Sequence, residues 1–170
     1  AQGGEVDLGI GGTPTLTKLG NGNFMEIANG VAFNGGGLTY SVRTKILDSN
    51  YQLVSSSQVN TTEPPNGVAD TEIITLENGN VVAIWSDDVS SGGGTGIYAR
   101  VLTVTGTPVT SEFTVNTFTD GRQIEPRATA LDGGGFVVTW KSGYGQDGSD
   151  WGQIAQVFSD TGVKVGTEIQ

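Results

Sequence analysis

The stretch LDGGGFVVTW (131–140) lies over LENGNVVAIW (76–85), and both lie over LGNGNFMEIA (19–28), at spacings of 55 and 57 residues. Further along, GIYARVLTVTGTPVTSEFT (96–114) lies over GQIAQVFSDTGVKVGTEIQ (152–170) at a spacing of 56. The first copy diverges most: VRTKILDSNYQLVSSSQVN (42–60) aligns with the ending of the second copy, at Val115-Asn116, once one residue is dropped. Self-similarity at a fixed period marks a repeat architecture in which every copy is one supersecondary unit. The 170 residues therefore divide into an N-terminal arm (1–12) and three units (13–68, 69–124 and 125–170) that form one folded body.

Each unit predicts four short strands. The first precedes a Gly turn, as in Glu72 to Leu76 or Arg127 to Leu131. The turns Glu77-Asn78-Gly79-Asn80 and Asp132-Gly133-Gly134-Gly135 supply residues that tolerate positive φ, as tight hairpins require. The second strand, Val81 to Trp85 or Phe136 to Trp140, is a short, continuous apolar run, the mark of a strand covered on both faces. The third is Ile97 to Leu102 or Ile154 to Phe158, and the fourth is Glu112 to Val115 or Glu168 onward, with hairpins at Thr105-Gly106 and Thr161-Gly162 between them. No helical stripe interrupts this pattern. The expected fold class is all-β: three four-stranded antiparallel units, propeller-like, since radial stacking sandwiches one strand of each blade. A β-sandwich is the alternative.

Composition narrows the chemistry. Eight Lys and Arg against eighteen Asp and Glu leave a formal charge of −10, which disfavours nucleic acid and anionic membrane surfaces as partners. With no Cys and no His, the chain lacks a thiol nucleophile, an imidazole base and the usual zinc or copper ligands. The longest apolar run, Val81 to Trp85, is far short of the roughly 20 residues that cross a bilayer, so no membrane insertion is expected. The absent initiating Met fits a chain whose targeting segment has been removed, or one cut from something longer. An acidic, Thr-, Gly- and Asn-rich composition with few Lys points to the cell exterior. Asn60-Thr61-Thr62 matches the glycosylation acceptor pattern, which is short enough to arise by chance.

GGGFVVTWKSGYGQDGSDWGQIAQVFSDTGVKVGTEIQ (133–170), with FTVNTFTDGRQIEPRATAL (113–131) before it, resembles the tandem repeats of large secreted bacterial proteins of the adhesin and hemolysin-type calcium-binding kind. The resemblance implies a secreted or surface-attached, propeller-like, non-catalytic module. It does not carry calcium binding with it, because the Gly-Gly-x-Gly-x-Asp nonapeptides are missing; Gly92-Gly93-Gly94-Thr95-Gly96 has no Asp at the ligand position.

The longest loops, Asn29 to Gly37, Ser86 to Gly96 and Lys141 to Gly152, fall on one rim, where binding residues usually sit. In the third, Asp147-Gly148-Ser149-Asp150 could offer calcium two carboxylates and a hydroxyl; an Asx turn beside a solvated acid is the plainer account. Asp87-Asp88 is a weaker pair, and the first unit offers Asn29 and Asn34 but no acid. Trp85 and Trp140 close buried runs and belong to the core. Tyr144 and Trp151, with Asp147, Asp150 and Gln153 nearby, suit a sugar, whose apolar face stacks on rings while its hydroxyls are hydrogen-bonded, although a structural role for these residues is the plainer account. As acid and base of a glycoside hydrolase, Asp147 and Asp150 lack an apolar enclosure to separate their pKa values.

Three blades do not close a ring, which takes about four to eight. The open edges predict self-association into a homo-oligomer or filament, or neighbouring repeats of a longer chain. Val6, Leu8 and Ile10 alternate with Glu5, Asp7 and Gly9 as an added strand would, and Ile169-Gln170 is the edge that could receive one. The function expected from the sequence is a non-catalytic extracellular module for adhesion or self-assembly, not an enzyme and without a resident cofactor. The alternative is a carbohydrate-binding lectin assisted by calcium.

Overall fold

The computed structural model describes residues 14–33, 35, 37–64, 67–87, 96–143, 145–146 and 148–170. They form twelve strands in three four-stranded antiparallel sheets, with no helix among them. The first sheet is β1 (Thr15–Lys18), β2 (Phe24–Phe33), β3 (Leu38–Leu47) and β4 (Leu53–Gln58). The second is β5 (Val68–Thr75), β6 (Val81–Asp87), β7 (Ile97–Leu102) and β8 (Phe113–Thr114). The third is β9 (Gln123–Ala130), β10 (Phe136–Gly143), β11 (Trp151–Phe158) and β12 (Lys164–Ile169). Each sheet is a meander in chain order. The first strands β1, β5 and β9 lie side by side at the inner edge, where β5 contacts both of the others.

The repeat is visible in the turns. Leu19, Leu76 and Leu131 donate their N–H groups to the carbonyls of Asn23 (2.8 Å), Asn80 (2.8 Å) and Gly135 (3.1 Å). Asp48, Thr103 and Ser159 close the second hairpin of each sheet in the same way, onto Gln52, Thr107 and Val163. Gly106 and Gly162 take positive φ in two of those hairpins, and Tyr51 takes it in the third, at φ 63°. The Tyr51 ring stacks on Phe24 with centroids 5.5 Å apart, a contact that offsets the backbone strain.

Side-chain alternation along β6 assembles two cores. Val81, Ala83 and Trp85 pack towards the first sheet with Met25, Ile27, Val42 and Ile46. Val82 and Ile84 pack towards the third with Phe136, Val138, Trp140, Ile154 and Phe158. The middle sheet is thus covered on both faces, as the apolar run in β6 predicts. In the third sheet, Thr139 is exposed and Val137 only half-buried, because no described residue packs on that side of β10 as the third sheet packs on β6. Trp85 and Trp140 are both core residues, at 1% exposure.

The connections between sheets follow one design. Asn60 Oδ1 accepts the N–H of Val42 and Asn116 Oδ1 that of Ile97, each at 2.7 Å, which satisfies a strand N–H in a buried position. The Glu112 carboxylate, just before β8, accepts from Thr61 N (2.7 Å), Thr61 Oγ1 (3.1 Å) and Thr62 N (3.4 Å), on the chain leaving the first sheet. Glu168 on β12 accepts from Thr117 N on the chain leaving the second.

Several strand limits differ from expectation. β5 and β9 begin four residues earlier than Glu72 and Arg127, β11 begins at Trp151 rather than Ile154, and β8 shrinks to two residues. Val6, Leu8 and Ile10 lie outside the described residues. Ile169 ends β12 opposite Ala155 and is 58% exposed at the sheet edge.

Candidate functional site

The inner strands β5 and β9 both bulge near their first residues. Pairing of β5 with β6 slips between Val68 and Thr71, and pairing of β9 with β10 slips opposite Thr139 to Lys141. Bulges re-aim side chains and recur beside active sites. Here they place Asp70 and Glu125, from neighbouring sheets, at one rim. Glu125 takes a left-handed backbone conformation, φ 55°, immediately before Pro126. Such a conformation costs about 1–3 kcal/mol for a residue other than glycine and persists only where its surroundings enforce it. Two contacts do so. The Glu125 N–H donates to Asp70 Oδ2 at 3.0 Å, and Lys141 Nζ donates to Glu125 Oε2 at 2.7 Å. Ser86 Oγ holds Asp70 in turn, at 3.2 Å from the same oxygen.

Around Glu125 opens a cleft of about 340 Å³ lined by Ile124, Glu125, Lys141, Trp151, Gly152 and Gln153. Trp151 opens β11 opposite Gly143. Its indole lies against that glycine: a Cβ on Gly143 would come within 3.3 Å of the ring. Gly143 thereby leaves room for a large aromatic ring beside the sheet, and 48% of Trp151 remains open to solvent. Gln153 follows two residues on, exposed, and its amide bonds to none of the described residues.

Of the residues the sequence singled out, Trp151 and Gln153 line this cleft. They stand on a strand and not in a Gly-rich loop, since β10 runs on to Gly143 and β11 starts at Trp151. Asp150 precedes Trp151 and is exposed, outside the cleft lining. Tyr144, Asp147, Asp88 and Asn34 lie outside the described residues, so the proposed Asp147–Asp150 calcium pair is not in view. Among the described residues, no three His, Cys, Asp or Glu side chains are grouped to hold a metal. Asn29 is used structurally, its amide donating to Val68 O at 2.9 Å. Sequence reasoning missed Glu125, Lys141 and Asp70. The available signal was Ile124-Glu125-Pro126, a proline inside a strand, which marks an edge or a bulge.

A smaller cavity of about 100 Å³ lies between the first and second sheets, bounded by Glu63, Pro64, Trp85, Asp87, Tyr98 and Glu112 among others. Trp85 and Tyr98 stack with centroids 6.2 Å apart. Burial pushes the Asp87 carboxyl up to about 6; the Tyr98 hydroxyl, which bonds to it, opposes the shift and the charge of Glu112 adds to it. The folded chain therefore holds a proton on Asp87 at pH values where the unfolded chain has lost it. This group favours folding most at low pH and loses that advantage as pH rises to about 6. Asp87→Asn should accordingly stabilise the protein more at pH 7 than at pH 4, read from urea midpoints. Equal effects at the two pH values would refute this assignment.

No family model and no curated protein matches the chain. Solved structures do. An endo-arabinase from Bacteroides thetaiotaomicron VPI-5482 is similar with a TM-score of 0.53 at 14% identity, over 92% of this chain and 61% of that one. A thermostable family-43 glycoside hydrolase is similar with a TM-score of 0.52 at 11% identity, over 89% of this chain and 53% of that one. The fold is propeller-like. The chain spans between half and two thirds of the length of these two proteins.

These likenesses overturn the expectation of a non-catalytic adhesion or self-assembly module and, with it, the expectation that the chain is not an enzyme: the fold is one that the two glycoside-cleaving proteins share. The error has a physical source. Missing His and Cys exclude thiol and imidazole chemistry, but glycoside hydrolysis is done with carboxylates. The acids singled out in the sequence share one loop, whereas the bulges set Asp70 against the main chain of Glu125, 55 residues on.

Proposed function

We propose that the chain acts on carbohydrate and that its rim cleft holds an oligosaccharide. The observation that carries this reading is the half-exposed Trp151 ring, standing against Gly143 beside the Glu125–Lys141 pair in one cleft. A sugar ring offers an apolar face to an aromatic platform and hydroxyls to polar groups around it. Trp151 supplies the platform. Gln153, Glu125 and Lys141 supply donors and acceptors within the same walls. That the two similar structures are named as an endo-arabinase and a glycoside hydrolase supports carbohydrate as the ligand class and arabinan as the first ligand to try.

A hydrolytic role at this cleft would draw on Glu125, the one carboxylate among the described lining residues, with Asp70 on the adjacent inner strand holding its main chain.

Calorimetry with arabino-oligosaccharides and a broader glycan panel tests the binding. The parent protein should bind, and Trp151→Ala should raise Kd at least tenfold, the equivalent of about 1.4 kcal/mol. Release of reducing ends from arabinan, absent in Asp70→Asn and Glu125→Gln, would establish hydrolysis. A parent protein that binds no glycan in the panel overturns the proposal.

A further inference from the structure

We infer that the rim cleft selects neutral glycans over uronic-acid glycans, and that Glu125 is the residue that sets this selectivity. The inference rests on the carbohydrate reading of the cleft. Lys141 is the one cation among the described lining residues, and its Nζ is 2.7 Å from Glu125 Oε2. An anionic sugar entering the cleft would have to draw the ammonium away from a carboxylate already in contact with it. Behind Glu125 stands a second acid, Asp70, whose Oδ2 is 3.0 Å from the Glu125 nitrogen. Asp150 is next to Trp151 in the chain, and the whole protein carries a formal charge of −10. The field at the cleft is therefore repulsive to a carboxylate, while a neutral sugar sees only hydrogen-bonding groups and an aromatic face.

The main chain of Glu125 is held at φ 55° by the bond to Asp70, which fixes where its side chain leaves the strand beside Lys141. Removing the Glu125 charge while keeping its shape would leave Lys141 facing the cleft unpaired, and an unpaired ammonium attracts a uronate.

The test compares arabino-oligosaccharides with oligogalacturonides of matched length by calorimetry at low salt. In the parent, the neutral ligand should bind at least tenfold more tightly. Glu125→Gln should shift that ratio at least tenfold towards the uronate, and Lys141→Gln should shift it further away. Equal binding of both ligands by the parent, or an unchanged ratio in Glu125→Gln, overturns the selectivity and leaves the carbohydrate reading standing. Binding of neither ligand by the parent overturns both.

Discussion

Trp140→Ala is expected to remove most of the stability of the fold. The indole is 1% exposed and packs in the core shared by the second and third sheets, against residues such as Val82, Ile84 and Ile154. Truncating a buried Trp to Ala costs about 3–5 kcal/mol. Its Nε1–H also donates at 2.8 Å to Oε1 of Gln123, a side chain with no exposed surface. Loss of that donor adds about 1–3 kcal/mol. Against a total stability of roughly 5–15 kcal/mol for an ordinary domain, the sum of about 4–8 kcal/mol is half or more at the midpoints. Urea unfolding followed by circular dichroism measures it, with Trp140→Phe as the companion that keeps most of the packing and removes only the donor. A Trp140→Ala midpoint close to the parent's would show that the second and third sheets do not share one core.

Gly135→Ala should produce the next largest loss. Gly135 closes the hairpin before β10, with its carbonyl accepting from Leu131 N and its backbone at φ 83°. A Cβ there would come within 2.3 Å of the Phe158 carbonyl oxygen, a backbone atom of the partner strand. Phe158 cannot retreat cheaply: it pairs with Phe136 across the ladder, stacks on its ring at 5.0 Å and is buried. Left-handed strain and overpacking together cost about 2–6 kcal/mol. Gly134→Ala is the control, because Gly134 has φ 104° but open space around its Cβ position, so it reads the strain alone. If the two variants melt together, the close approach to Phe158 carries no cost.

The repeat was legible because apolar residues and turn glycines recur in register, and the strands they specify, β6 and β10, begin where expected at Val81 and Phe136 but run two and three residues further. The inner strands were not. β9 reads QIEPRATA and β5 reads VADTEIIT, polar mixtures without clean alternation, held in place by neighbours in other sheets. Thr15 Oγ1 donates to Thr71 O, and Thr17 and Thr75 share a hydrogen bond at 3.0 Å. Such contacts leave no periodic trace in a single sequence. Trp151 looked like a loop residue because Asp150 and Gly152 flank it; cross-strand pairing with Gly143 decided otherwise. Glu125 was invisible for a related reason: its place at the rim comes from a one-residue bulge and a left-handed φ, both set by Asp70 in another unit.

Glu112 belongs to the second sequence unit yet fastens the chain that leaves the first sheet, and Glu168 stands in the same relation to the second. Every joint is thus written across a boundary between two copies. A unit excised by itself would bring the fastening for its predecessor and lack the one it needs. Copying in whole steps of about 56 residues has the opposite result, for each added unit secures the one before it and presents a fresh end to the next. Adding or removing whole units in this way keeps every internal joint intact, because each fastening carboxylate travels with the unit that follows the joint.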